Sequence, residues 1–427
     1  MFKKFEKVSV EKIIYIIILL VMFLIPLLKF TTYIPVIRNF YINTFEIKRV
    51  YVLWTVIFFL LLTYIYVIFS KKEKISCIDI IIYILIILAF LSTQYALDFD
   101  KSFFGEKYRN EGLLTILSYY LLILNAKSIK REKYKKNIIK LFISIGVFQA
   151  MYAILQSYTT FPFIYRHSVG YMAMGLCSNP NFFGSYMVMQ ALLVGFMYVY
   201  NPRKVYLLLY ILFGISLYLA ESTGPVLSIV IAIIFSFFIL PKRAKTIIKL
   251  LIILLLSFAF ADYSLKYVQN SKFETQMIES YDISSDIKTI TSKPKEEIAS
   301  GRFVIWENSI PLVRQYWLIG CGLDNFKDAY PNGGYVVYDK AHNVYLQMAI
   351  TNGVPALIIF LLLLFLAFLK GIRNKSKILI PLYMAFIGYS VQAFLNISVI
   401  DVAPYYYIML GLIFSEYCLI EDKTINY

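Results

Sequence analysis

The chain contains repeated apolar runs close to the roughly 20 residues that an α-helix needs to cross a bilayer. Hydrophobic residues make up 60% of its 427 residues, and the mean hydropathy is +0.69. These runs are too long and too unbroken for the alternating pattern of barrel strands, so helices must satisfy the backbone hydrogen bonds in lipid. The sequence therefore predicts an all-α polytopic membrane protein, with residues 1–427 forming a single integral membrane domain.

Each apolar run predicts one transmembrane helix, which gives about twelve. The predicted spans are residues 12–29, 50–70, 77–96, 112–126, 138–157, 181–200, 205–220, 225–240, 248–263, 344–369, 378–399 and 404–420. The first run lacks a small-residue cleavage site, so we expect a retained first helix and no cleaved signal peptide. One large polar loop, residues 264–343, separates the ninth and tenth predicted spans.

Basic residues predict the orientation, because Lys and Arg are retained on the cytoplasmic side. The short basic segments 71–74, 127–140, 203–204, 242–249 and 370–377 all fall on one side of the predicted bundle. We therefore predict a multi-pass protein of the cell membrane, with both termini cytoplasmic and the loop 264–343 extracytoplasmic. Much of the net charge of +16 is then this topological signal together with contacts to membrane lipids, and we expect no binding of nucleic acid.

The cysteines and acidic residues do not predict a metal site. The four cysteines form no CxxC pair and have no metal-ligand spacing. A Cys177–Cys321 disulfide is allowed by the predicted topology, although sequence alone cannot supply its geometry. Asp98-Phe99-Asp100 has a spacing that can hold a divalent cation, but such triplets arise readily by chance beside a helix end. We expect no metal and no cofactor.

Arginines recur in the predicted outer loops, at Arg109, Arg166, Arg302 and Arg314. Arginine presents a fixed fork of donors to phosphate oxygens and keeps its charge. A cluster of arginines at the membrane surface therefore predicts a site for a diphosphate-linked substrate. Taken singly, Arg109 or Arg314 has a more ordinary interpretation, which is contact with lipid headgroups or with a nearby acid.

His342 is one of only two histidines in the chain, and it lies at the end of the long loop, directly before Asn343 and an apolar run. With an ordinary pKa near 6.5, a histidine can take a proton from an attacking hydroxyl at neutral pH. The alternative is a histidine that caps a helix or bonds a loop carbonyl. His167, the other histidine, follows Arg166 but lies in no recurring pattern.

Several of these residues resemble motifs of the O-antigen ligase and O-antigen polymerase superfamily. The motifs are Gly301-Arg302 with Trp306, Gly320-Cys321-Gly322 with Asn325-Phe326, and Ala341-His342-Asn343 with Leu346-Gln347 and Gly353-Val354-Pro355. Phe104-Gly105 with Arg109, Gly112-Leu113-Leu114-Thr115, and Asn179-Pro180-Asn181 are similar to further elements of the same superfamily. The resemblance spans roughly residues 104–360.

The resemblance implies a GT-C-like helical glycosyltransferase that takes a glycan from an undecaprenyl diphosphate carrier on the outer face of the membrane and passes it to an acceptor, without a metal. It implies that His342 is the base or orients the acceptor, and that Arg302 is a diphosphate ligand. We expect the substrate-binding residues to be Arg109, Arg166, Arg314, Asn181 and Asn343. We also expect a flippase to deliver the donor.

The chain departs from the superfamily before the eighth predicted helix, where an arginine is usual. Here Glu221-Ser222-Thr223-Gly224-Pro225 contains none, so either Arg166 or Arg109 replaces it or the diphosphate is bound differently. The acceptor stays open: another lipid-linked glycan for a polymerase, a distinct lipid or glycan for a ligase, or a protein.

The competing class is a flippase or transporter of lipid-linked oligosaccharide. That class would need charged residues within the spans and helices broken near the bilayer midplane. The spans carry few such features, namely Gln392 with Asn396 and a break at Asn352-Gly353. These residues also suit helix packing or an acceptor groove.

Overall fold

The computed structural model describes residues 10–31, 49–71, 75–107, 109–159, 172–272, 302–330, 338–373 and 376–415. Within these ranges the regular structure is helical and contains no strand. The predicted site residue Arg166, the neighbouring His167 and much of the loop 264–343 lie outside the described residues.

The helices follow the apolar runs closely. The first eight are α1 (Val10–Thr31), α2 (Val50–Lys71), α3 (Cys77–Gln94), α4 (Phe99–Phe104), α5 (Leu113–Lys127), α6 (Glu132–Tyr158), α7 (Pro180–Tyr200) and α8 (Lys204–Leu219). The next are α9 (Thr223–Ile239), α10 (Ala244–Lys272), α11 (Arg302–Gln315), α12 (Phe326–Ala329), α13 (Val344–Thr351), α14 (Val354–Arg373), α15 (Leu379–Gln392) and α16 (Ala403–Ser415).

Seven of the described helices are long and apolar enough to cross a membrane, namely α1, α2, α3, α6, α7, α10 and α14. Five further predicted spans correspond to shorter apolar helices of 13 to 17 residues, α5, α8, α9, α15 and α16. At 1.5 Å per residue these are about 20–25 Å long, less than the roughly 30 Å of the hydrocarbon core. The structure confirms a polytopic helical membrane protein, and the number of twelve spans stays a prediction.

Two predicted spans are interrupted. Residues 344–369 form two helices, because α13 ends at Thr351 and α14 begins at Val354, with Gly353 between them at φ 89°. The span 378–399 stops at Gln392, and an irregular segment, residues 393–402, follows it. There the Asn396 side-chain oxygen accepts from the Ile397 amide, a local bond that competes with helix continuation.

Helix α7 lies at the centre of the bundle, where 94% of its apolar window is buried, and it packs against α8 and α15. Helices α5 and α16 pack together beside it, with the rings of Tyr119 and Tyr407 stacked at 4.9 Å. Helices α2, α5, α7 and α13 all begin at one end of the bundle, which we call the loop end. The segments that carry most of the predicted site residues meet there.

Candidate active site

The segment that carries His342 is fixed on both sides by hydrogen bonds. Trp306 Nε1 donates to the Ala341 carbonyl at 3.0 Å, and the Ala341 amide donates to Gln347 Oε1 at 2.8 Å. Asn343 then caps α13: its side-chain Oδ1 accepts hydrogen bonds from the backbone amides of Tyr345 and Leu346, at 3.0 Å each. His342 lies between these anchors at φ 50°, a left-handed conformation that histidine adopts more often than most residues. The backbone at His342 is therefore closely constrained.

The charges around His342 favour its neutral form. Burial lowers the pKa of the imidazole below its usual range, and the nearby Arg302 guanidinium lowers that pKa further. The Asp339 carboxylate opposes the shift, while Arg109 adds to it. A histidine with a lowered pKa is unprotonated at neutral pH, so it can accept a proton.

Arg302 is placed beside His342 by helix α11. Its buried face, formed by Ile305, Ser309 and Leu312, packs into a small cluster under the loop end. Trp306, which holds the Ala341 carbonyl, lies four residues after Arg302 and therefore on the same face of the helix. The same helix thus anchors the histidine segment and presents the arginine to it.

Arg109 reaches the same place from the loop between α4 and α5. Its Nε and Nη2 each lie 2.6 Å from Oδ2 of Asp339, and its Cζ lies 5.9 Å from the centre of the Phe182 ring. Burial alone would raise the pKa of Asp339, but the Arg109 guanidinium outweighs it and lowers that pKa, so Asp339 is a carboxylate at neutral pH. Two arginines, Arg302 and Arg109, and the Asp339 carboxylate thus all lie close enough to His342 to shift its pKa.

Beneath this group lies a cluster of buried charges that the sequence did not reveal, which we call the buried ion cluster: Glu111, Asp324 and Lys340. Their side chains are only 6%, 1% and 4% exposed. Lys340 Nζ pairs with Asp324 and lies 3.5 Å from Glu111 Oε2. Burial would lower the pKa of Lys340, but its two acidic partners raise it; burial raises the pKa of Glu111 to about 7.

The backbone of the Gly-Cys-Gly motif, residues 320–322, links separate segments of the chain at the loop end. The Cys321 and Gly322 amides donate to carbonyls at the end of α13, at 2.9 and 3.1 Å, and the Cys321 carbonyl accepts from Leu97 at 2.9 Å. Gly322 has φ 104°, and a Cβ there would lie 2.3 Å from the Cβ of Ala96, so only glycine fits. Cys321 and Cys177 are both buried free thiols and form no disulfide with each other.

Of the other predicted site residues, Arg314 lies away from Arg302, and the side chains of Asn181 and Asn343 make hydrogen bonds within the fold. Arg314 is exposed and lies twelve residues after Arg302 on α11, which is about 18 Å along the axis. Asn181, at the start of α7, accepts a hydrogen bond from Ser222 through its side chain and one from Asn396 through its carbonyl, at 3.2 Å for the latter. Asn343 uses its side-chain oxygen to cap α13.

Asp98 of the Asp-Phe-Asp triplet is a helix cap, since its side chain accepts from the Lys101 amide at 3.1 Å. Its backbone amide and carbonyl both bond the Asn325 side chain at 3.1 Å. Within the described ranges no group of three or more His, Cys, Asp or Glu side chains is arranged to hold a metal ion.

A further arginine, Arg49, lies at the loop end where α2 begins. It pairs with Asp401 and donates to Ser178 Oγ at 2.9 Å, while the Ser178 amide and hydroxyl donate to Asp401 at 2.8 and 2.9 Å. This contact ties together the segments that precede α2, α7 and α16. Nothing in the apolar pattern of the sequence marks these residues, because their partners are distant along the chain.

Comparison with known families places much of this site in a recognised domain. Residues 207–361 match the family model described as O-antigen ligase. The match confirms the resemblance to the O-antigen ligase and polymerase superfamily, and it includes Arg302, Asp324, Lys340 and His342. Arg109 and Glu111 lie before it. The chain has no match among curated proteins.

Proposed function

We propose that this chain, as a membrane protein with an O-antigen ligase domain, is a glycosyltransferase of polysaccharide biosynthesis whose donor is a glycan linked to undecaprenyl diphosphate. The observation that carries this proposal is the meeting of His342 with two arginines at the loop end: Arg302 on the helix whose Trp306 holds the Ala341 carbonyl, and Arg109 bonded to Asp339. Transfer of a glycan from a diphosphate carrier requires a base for the attacking hydroxyl and positive charge for the departing diphosphate. The neutral histidine and the two arginines can supply them.

In the proposed reaction, the oxygen of an acceptor hydroxyl attacks the anomeric carbon of the glycan. The bond between that carbon and the diphosphate oxygen breaks, and undecaprenyl diphosphate leaves with the bonding electrons. The hydroxyl proton passes to His342. Arg302 and Arg109 stabilise the negative charge that develops on the diphosphate, so the step needs no metal ion.

We place this reaction on the outer face of the membrane. The basic segments 71–74, 127–140, 203–204, 242–249 and 370–377 follow or precede helices at the end of the bundle opposite the loop end. Since basic segments are retained in the cytoplasm, the loop end faces outward. A donor made inside the cell must then cross the membrane first, which is the basis for proposing a flippase as a partner.

The decisive test measures transfer from a purified undecaprenyl diphosphate glycan in proteoliposomes, with the unmodified protein and with His342→Ala, each with and without a chelator. We expect release of undecaprenyl diphosphate that resists the chelator and is lost in the variant. One added glycan per acceptor would indicate a ligase, and a ladder of products a polymerase. A donor that changes leaflet with no bond broken would refute the proposal in favour of transport.

A further inference from the structure

We infer that the buried ion cluster of Lys340, Glu111 and Asp324 is a positioning device that sets Arg109 and His342 relative to each other. This inference rests on the proposed function, because it assigns to the three residues an effect on transfer. None of them contacts the proposed substrate; each acts through the residues it holds.

Lys340 and Glu111 are neighbours of the two site residues along the chain and are also paired with each other. Lys340 lies two residues before His342, and Glu111 lies two residues after Arg109. The Lys340 ammonium is 3.5 Å from the Glu111 carboxylate, although the two are 229 residues apart in the chain. The Lys340–Glu111 pair therefore links the backbone segment that carries His342 to the segment that carries Arg109.

Asp324 completes the connection from a third segment. Its Oδ1 pairs with Lys340, and its Oδ2 accepts from the amides of Glu106 and Glu111 at 2.8 and 3.1 Å. Those two amides begin and end the turn that carries Arg109. Asp324 itself follows the Gly-Cys-Gly motif, which is bonded to the end of α13. One carboxylate thus holds the Arg109 turn against the framework that fixes His342.

A purely stabilising role would not require charge here. Buried ion pairs cost so much desolvation energy that apolar residues of similar volume often stabilise a fold equally well. The fold contains a matched comparison: Lys127 lies 2.5 Å from Asp79, which is 5% exposed, at the opposite end of the bundle. That pair has the same chemistry but lies far from Arg109 and His342.

The test compares neutralising substitutions at the two places. Lys340→Met leaves Asp324 without its cation, whereas Lys340→Met with Asp324→Asn removes both charges, and Glu111 can take up a proton because burial raises its pKa to about 7. Lys127→Met, alone and with Asp79→Asn, is the matched control. For each protein we measure the thermal midpoint, kcat normalised to the amount of folded protein, and the KM for the donor.

We expect Lys340→Met to lower the thermal midpoint and to lower kcat by about 100-fold, as misplacement of a catalytic group by 1 Å can do. The double variant should regain the midpoint but stay at least about tenfold low in kcat with a raised donor KM. The Lys127 controls should change the midpoint alone. Full recovery of kcat in the double variant, or an equal loss of kcat in the Lys127 controls, would overturn the inference.

Two further measurements keep the test decisive. If both Lys340 variants fail to fold, Glu111→Gln keeps the shape of the cluster: a lower kcat at an equal or higher thermal midpoint supports the inference, and an unchanged kcat overturns it. Hydrogen exchange of peptides 105–112 and 338–343 should be faster in the double variant than in the unmodified protein. An unmodified protein without transfer would refute the proposed function, whereas transfer that is normal in every variant would refute only the positioning role.

Discussion

Arg109 and Asp339 are 230 residues apart in the chain, yet two nitrogens of the guanidinium each lie 2.6 Å from one oxygen of the carboxylate. Asp339 is three residues before His342, so this contact brings an arginine from the loop after α4 to the histidine segment before α13. A carboxylate and a phosphate use the same donors of arginine. Asp339 therefore lies where an anionic group of a substrate would compete for Arg109.

His342→Ala should lower kcat by about 100-fold or more, because general base catalysis commonly contributes 10²–10⁴-fold. The thermal midpoint should change little, since the imidazole is half-buried and its neighbours Ala341 and Asn343 hold the segment through their own hydrogen bonds. The measurement is release of undecaprenyl diphosphate in proteoliposomes. Lys266→Ala, which removes an exposed cation paired with Asp262 in α10, is the control. Full activity in His342→Ala would exclude the histidine as the base.

Arg302→Ala should lower kcat by about 10²–10³-fold, the range seen when a donor to developing negative charge is removed. Arg302→Lys keeps the charge but lacks the planar fork of donors, so its activity should lie between that of the alanine variant and the unmodified protein. Single-turnover rates with saturating donor separate this effect from weaker donor binding. Equal rates for the two variants would mean that the geometry of the guanidinium, and not only its charge, is essential.

The pH dependence of kcat/KM should report the lowered pKa of His342. The base must be neutral, so activity should persist below the ordinary histidine pKa of 6.5 and decline only at more acidic pH as the imidazole is protonated. The Asp339 carboxylate raises the pKa of His342, so Asp339→Asn should move this acidic limb to lower pH whatever it does to the maximal rate. A limb that moves to higher pH, or does not move, would contradict the assignment.

The sequence predicted the helices well, but it indicated only some of the charged residues that meet at the loop end. Long apolar runs identify helices because the bilayer imposes their length, and the breaks at Gly353 and after Gln392 depend on local backbone bonds that hydropathy does not register. Arg302 and His342 were predicted from motifs; the structure brings Arg302 close enough to lower the pKa of His342, and their roles in transfer stay predictions.

The buried ion cluster could not be predicted in the same way. Glu111, Asp324 and Lys340 look like ordinary loop charges. Only the tertiary fold shows that their side chains are buried and that Glu111 meets the other two across more than 200 residues of sequence. One signal was available: each of Glu111 and Lys340 lies two residues from a predicted site residue. Asp324 gave no such signal beyond its place after the glycine motif.

Asn343 offers a way to separate a helix cap from a substrate contact. Asn343→Ala removes the oxygen that accepts from the Tyr345 and Leu346 amides, which should cost about 1 kcal/mol of stability and lower kcat because His342 is the adjacent residue. Asn343→Asp keeps a capping oxygen, so its thermal midpoint should match the unmodified protein. If Asn343→Asp keeps the midpoint but loses transfer, the side chain also contacts the substrate, as the sequence predicted.

Glu111 should make the stability of the protein depend on pH in an unusual direction. Burial raises the pKa of its carboxyl from 4.5 to about 7, so the folded state holds this proton more tightly than the unfolded state does. The stabilisation is fully present below pH 4.5 and is lost as the pH rises to about 7, after which burial of the carboxylate carries a constant cost. Lys340, Asp324 and Arg109 are the charged groups that act on Glu111.

Glu111→Gln cannot ionise, so relative to the unmodified protein its stability should improve steadily between pH 4.5 and pH 7, by an amount on the order of a few kcal/mol. Thermal unfolding in detergent across this range checks the prediction. Glu132→Gln is the matched control, because Glu132 is an exposed acid paired with Lys136 on α6 and its loss should leave the pH dependence unchanged. Parallel curves for Glu111→Gln and the unmodified protein would show that the Glu111 carboxyl does not titrate in this window. A flatter curve for Glu111→Gln alone would identify Glu111 as the buried group that releases its proton near neutral pH.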